Sequence, residues 1–92
     1  MDQLLNEHIG RRLRMRRRAL GLSQSELAER AGLRFRQIHK YEVAENRTSS
    51  ATLWRLACAL DVSIHYFFDG WRDGRGAAPR PAKAPTVHAA AL

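Results

Sequence analysis

Up to Trp71, apolar residues recur at helical spacing, and nowhere does the chain show the alternation of a half-buried strand. Ile9, Leu13, Arg16, Arg17 and Leu20 share one helical face, and Gly21 can take the left-handed conformation that ends a helix. Ser23-Gln24-Ser25-Glu26 has the spacing of a capping box, in which each side chain accepts from the other residue's backbone N–H. The helix it opens turns Leu27, Ala28 and Ala31 inward and stops at Gly32. A third helix is expected from about Arg34 to Val43, with Ile38 and Tyr41 on its inner side, followed by a polar loop from Ala44 to Ser49. Leu53, Leu56, Ala57 and Leu60 then give the stripe of a core-facing helix. On it Trp54 reads as a packing aromatic and Cys58 as a buried, inert thiol. Ser63 can cap a short fifth helix with Ile64, Phe67 and Phe68 on one side, closed by Gly70. The pattern predicts an all-α globule of five short helices over residues 6–71.

Composition changes sharply after Trp71. Residues 72–92 are rich in Gly, Ala, Pro and Arg and hold almost nothing to bury, so they are expected to form a flexible, disordered basic tail. A chain of 92 residues makes one small domain with a modest core, for which a second copy is a natural supplement. Lys and Arg number 16 against 9 Asp and Glu, a net charge of +7. That excess draws polyanions: nucleic acid first, with an anionic membrane surface or an acidic protein as alternatives. The arginines at positions 11, 12, 14, 16, 17 and 18 are read chiefly as a solvated helix face.

A single cysteine excludes an intrachain disulfide and fits a reducing compartment. Met1 to Leu5 lacks the features of a signal peptide, and no apolar run approaches the roughly 20 residues of a membrane helix. The expectation is a cytoplasmic, nucleoid-associated protein without a membrane partner. His8, His39, His65, His88 and Cys58 do not form the close ligand pairs that zinc requires, so neither metal nor cofactor is expected. Ser, His and Asp occur without catalytic context, and no enzyme activity is expected.

The informative stretch is Gln24 to Val43, two helices joined by a turn that begins at Gly32. Ala28 is small where the helices must approach, and Leu27, Ala31, Leu33, Ile38 and Tyr41 supply an apolar wedge that fixes their angle. A DNA-binding helix-turn-helix needs this arrangement to hold its second helix out toward a major groove.

From Ile9 to Gly70 the sequence resembles the phage-repressor-type (Cro- and cI-like, XRE-like) helix-turn-helix family, in the stretches IGRRLR, GLSQSELAERAGL, IHKYE, ENR and LWRLACALDVSIHYFF. The resemblance implies a lambda-repressor-like fold and a sequence-specific transcriptional regulator, a repressor, that binds double-stranded DNA as a homodimer. It implies base contacts from Arg34, Phe35, Arg36, His39, Lys40 and Val43, with Arg36 and Lys40 suited to guanine O6 and N7 and Phe35 to a thymine methyl. Gln24, Gln37, Asn46 and Arg47 are the implied phosphate contacts; at Gln24 the free N–H groups of a helix N-terminus favour an anion. Ile64, Tyr66, Phe68 and Trp71 are the implied dimer surface, since an adjacent aromatic pair cannot bury both rings. Arg17 and Glu42 match a buried ion pair.

Two departures stand out. Alanine occupies position 44, where the family commonly has glycine, so the third helix is expected to end differently; Arg16 replaces a common leucine. Two other readings are an antitoxin that also binds a partner protein, with the tail folding on it, and a protein or RNA adaptor that does not read DNA.

Overall fold

The computed structural model describes residues 2–71, so the tail expected over 72–92 lies outside the described residues. Its segments are α1 (Asp2–Ala19), α2 (Gln24–Ala31), α3 (Phe35–Glu42), α4 (Ser50–Leu60) and a 3-10 helix (Ile64–Phe68). The first helix thus begins well before the apolar stripe that announced it, and the fifth element is a single 3-10 segment. Serines start three of them: Ser23 Oγ accepts from the Glu26 N–H at 3.0 Å, Ser49 Oγ from Thr52 at 3.1 Å, and Ser63 Oγ from His65 at 3.2 Å. Each cap satisfies a donor that the first helical turn would leave unpaired. At Ser23 the box is complete, because its own N–H donates to Glu26 Oε1 at 2.8 Å. That bond is the first reason the Glu26 carboxyl is held below its ordinary range.

The core lies where all five segments meet. Leu13, Leu27, Ile38, Leu56, Leu60 and Phe67 are fully buried, drawn from every one of them. Each such side chain contributes on the order of 1.5–3 kcal/mol. Phe67 takes the inward position of its adjacent pair, leaving Phe68 38% exposed.

Two expectations about α4 are corrected. Trp54 is 62% exposed, and Cys58 is exposed as well. The reason is angular: each stands one residue, about 100° of helix, past a buried neighbour (Leu53 and Ala57), which carries it off the core-facing arc.

At the end of α3 the missing glycine changes little. Ala44 itself takes the left-handed conformation, with φ 62°, and the Glu45 N–H still closes back on the Lys40 carbonyl at 2.8 Å.

The arginine run divides. Arg11, Arg14 and Arg18 are exposed, as a solvated face requires, but Arg12, Arg16 and Arg17 reach into the body. Arg16 Nε donates to the Leu60 carbonyl at 3.0 Å and so covers the open C-terminal end of α4. Arg12 Nε donates to the Tyr66 carbonyl at 2.9 Å, its guanidinium lies 3.9 Å from the Tyr66 ring centroid, and the Tyr66 hydroxyl donates back to the Arg12 carbonyl at 2.9 Å. Buried His8 adds a 2.8 Å hydrogen bond from Nε2 to the Asp69 carbonyl. These polar ties fasten residues 60–69 along α1.

Candidate nucleic-acid interface

The site is built on the turn between α2 and α3. Gly32 takes φ 70°, a conformation glycine adopts without steric cost, and the Leu33 N–H returns to the Ala28 carbonyl at 2.9 Å. Leu27, Ala28 and Ala31 are buried beneath it and Leu33 is half-buried, so the wedge is formed as its residue types suggested. Arg34 then precedes α3 with its N–H donated to Gln37 Oε1 at 2.9 Å.

Within α3, Ile38, Tyr41 and Glu42 face the body, while Phe35, Arg36, His39 and Lys40, and the flanking Arg34 and Val43, are exposed. Phe35 and Val43, 51% and 46% exposed, are large apolar side chains left open on a charged helix. Phe35, Arg36, His39 and Lys40 together line one shallow concavity on its outer side. All six residues expected to contact bases therefore stand on the accessible side of this helix.

The helix is held by its other face. Glu42 is buried and accepts from Arg17 Nε at 2.6 Å, from Arg17 Nη2 at 3.0 Å and from Gln24 Nε2 at 3.0 Å. Arg17 Nη1 donates onward to the Leu22 carbonyl at 2.8 Å. The bond to Glu42 raises the Arg17 pKa, opposed by burial. One carboxylate thus joins α1, the start of α2 and the end of α3.

A second contact is steric. A Cβ on Gly10 of α1 would stand 2.6 Å from the Tyr41 carbonyl oxygen and 2.7 Å from that of Glu42, so α1 meets α3 backbone against backbone. Neither this role of Gly10 nor the burial of His8 was read from the sequence; a glycine inside a periodic helix is the signal for the first.

The four residues expected at phosphates fall into two groups. Gln24 and Gln37 are half-buried: Gln24 bonds Glu42, and Gln37 caps Arg34 and lies 3.5 Å from the Tyr41 hydroxyl. Asn46 and Arg47 are exposed on the loop after α3. Of the expected dimer surface, Phe68 is exposed and Ile64, Tyr66 and Trp71 are half-buried. Tyr66 is turned onto Arg12, and the Trp71 ring lies 5.5 Å from that of His8. Among the described residues no group of three His, Cys, Asp or Glu could hold a metal, and no helix is long and apolar enough to cross a membrane.

A helix-turn-helix family model matches residues 13–67. The chain belongs to the helix-turn-helix family. It is 42% identical over 78 residues to an HTH-type transcriptional regulator of Sinorhizobium medicae, covering 84% of this chain and 56% of that relative. It thus spans little more than half of that protein. Among solved structures, it resembles the restriction-modification controller protein C.AhdI of Aeromonas hydrophila, with 35% identity and a TM-score of 0.67 over 68% of this chain and 96% of that one. It also resembles the P22 c2 repressor in complex with a synthetic operator, with 31% identity and a TM-score of 0.63 over 67% and 94% of the two chains.

Proposed function

We propose that this helix-turn-helix chain is a sequence-specific DNA-binding transcriptional regulator, a repressor that occupies its operator as a homodimer. The observation that carries this reading is the two-sided character of α3, whose inner face is fixed by Glu42 and Ile38 while Arg36 and Lys40 stand exposed on the other. A helix so held can enter a major groove, where Arg and Lys pair with guanine O6 and N7. Arg34, Phe35, His39 and Val43 would border those contacts, and Asn46 and Arg47 would clamp the backbone beside them. Gln24 and Gln37 lie in the first turns of α2 and α3, where the backbone N–H groups of a helix N-terminus favour an anion, and in this reading those turns would meet flanking phosphates. Phosphate contacts set register, and base contacts set sequence preference.

Residues 6–71 act as the DNA-binding unit in this reading, and Ile64, Phe68 and Trp71, with the edge of Tyr66, meet the second copy. Two such copies would place their α3 helices about one helical turn apart, on half-sites separated by ~34 Å. The test is selection of bound duplexes from a random pool, followed by titration of the selected duplex at several salt concentrations. The reading expects a pseudo-palindromic consensus and steeply salt-dependent affinity. Identical affinity for selected and random duplexes would remove the sequence-specific part.

A further inference from the structure

Across α2 from α3 lies a second surface that the nucleic-acid reading does not use. Trp54, among the described residues the most exposed of the large apolar side chains, stands on α4 with Arg55 and Cys58. With Arg30, Ala31 and Ala59 these residues line a shallow open groove between α2 and α4. Arg55 reaches back to the α2–α3 turn, its Nη1 3.9 Å from where a Cβ on Gly32 would stand. Arg30 lies one turn beyond Glu26 on α2, where its charge helps hold that carboxyl low. Among the described residues no carboxylate lines the groove.

We propose that this groove is a docking site for an acidic, partly apolar segment of a protein partner. The occupant follows from charge and shape. Trp and Arg are among the residue types that most often anchor protein interfaces, and a groove lined by an open indole and two arginines calls for an apolar side chain accompanied by carboxylates. A second copy presenting the same groove across a two-fold axis would bring the arginines of one groove toward those of the other, which like charge opposes. The chain's own residues 72–92 carry Arg72, Arg75, Arg80 and Lys83 against Asp73, and are repelled in the same way. A phosphate backbone would satisfy the arginines but leave the indole, Cys58 and the alanine side chains uncovered.

The test screens an array of synthetic peptides, about fifteen residues each, in which Asp and Glu are interleaved with Leu and Phe, against charge-neutral scrambles. Binding of the best peptide to the full chain is then followed through the Trp54 indole N–H resonance. The proposal expects the acidic peptides to bind, to shift that resonance, and to bind Trp54→Ala and Arg55→Glu about tenfold more weakly, the loss typical of an interface anchor. Both positions are exposed, so both variants keep the fold. DNA affinity of Trp54→Ala should match that of the wild type, and Arg36→Ala should bind the peptide normally. Equal binding of acidic peptides and scrambles, or equal binding by Trp54→Ala, overturns the proposal. Loss of duplex binding in Trp54→Ala would make the groove part of the nucleic-acid face, and conversion of a wild-type dimer to monomers would make it a self-contact; either result also overturns it.

Discussion

Arg17 grips both oxygens of the Glu42 carboxylate, at 2.6 and 3.0 Å, with the arginine side chain 10% exposed and the glutamate 2%. Burying two charges is costly, and the pair holds because both ends are otherwise hydrogen-bonded, Glu42 to Gln24 and Arg17 to the Leu22 carbonyl. Removing one partner leaves the other stranded. Glu42→Ala should therefore lower stability by about 3–5 kcal/mol, whereas replacing both with apolar residues of similar volume should cost much less than either single change. Urea unfolding of the four variants of that cycle measures the difference.

Gly10→Ala tests the backbone contact between α1 and α3. The added methyl meets carbonyl groups rather than the ends of flexible side chains, so the helices themselves must separate. A loss of about 1–3 kcal/mol is expected, in the range of overpacked cores, although alanine is the better helix former. An unchanged thermal midpoint would show that the helices are not pressed together there.

Ala44→Gly should do the opposite. Alanine at φ 62° carries a steric cost of about 1–2 kcal/mol that glycine escapes, part of which returns as the greater entropy of an unfolded glycine. The net expectation is a gain of several tenths to about 1 kcal/mol in urea unfolding, with affinity for duplex DNA preserved.

Acid should weaken the fold in two separate windows. Burial lowers the His8 pKa from its ordinary 6.5, assisted by the charges of Arg11 and Arg12 and opposed by its bond to the Asp69 carbonyl. The unfolded chain therefore binds a proton before the folded chain does, so stability is full above 6.5 and declines as pH falls from there through the depressed folded value. Glu26 acts lower, because its capping bonds with Ser23 hold the carboxyl below 4.5 and are lost as pH falls through that lowered value. Between about pH 7.5 and about pH 5.5, His8→Phe should lose less stability than the wild type, while Glu26→Gln should follow the wild-type trend. A wild-type slope retained in His8→Phe would assign the first window elsewhere.

Apart from the Arg17–Glu42 pair, which the family resemblance implied across 25 residues, what the sequence revealed was local. Ser23 with Glu26, Gly21, Gly32 and the stripe from Leu53 to Leu60 depend on neighbours a few residues apart, and each appears in place. What escaped depends on where distant segments come to rest. Arg12 and Arg16 look like members of a solvated run until the carbonyls of Tyr66 and Leu60 arrive beside them. Residue type alone puts Trp54 and Cys58 in the core, but the helical angle turns both out. At the candidate site, the open side of α3 followed from the Ile38–Tyr41 register, but the link from Gln24 to Glu42 joins residues of two helices and has no local signature.

The most direct measurement compares wild type and Arg36→Ala on a selected operator and on duplexes in which single base pairs of a half-site are changed. If α3 reads the major groove, Arg36→Ala should bind the operator about 1–3 kcal/mol more weakly and lose its preference at one or two adjacent positions while keeping it at the others. Weakening by the same factor on every duplex, or discrimination equal to the wild type at every position, would contradict the assignment of this helix as the reader.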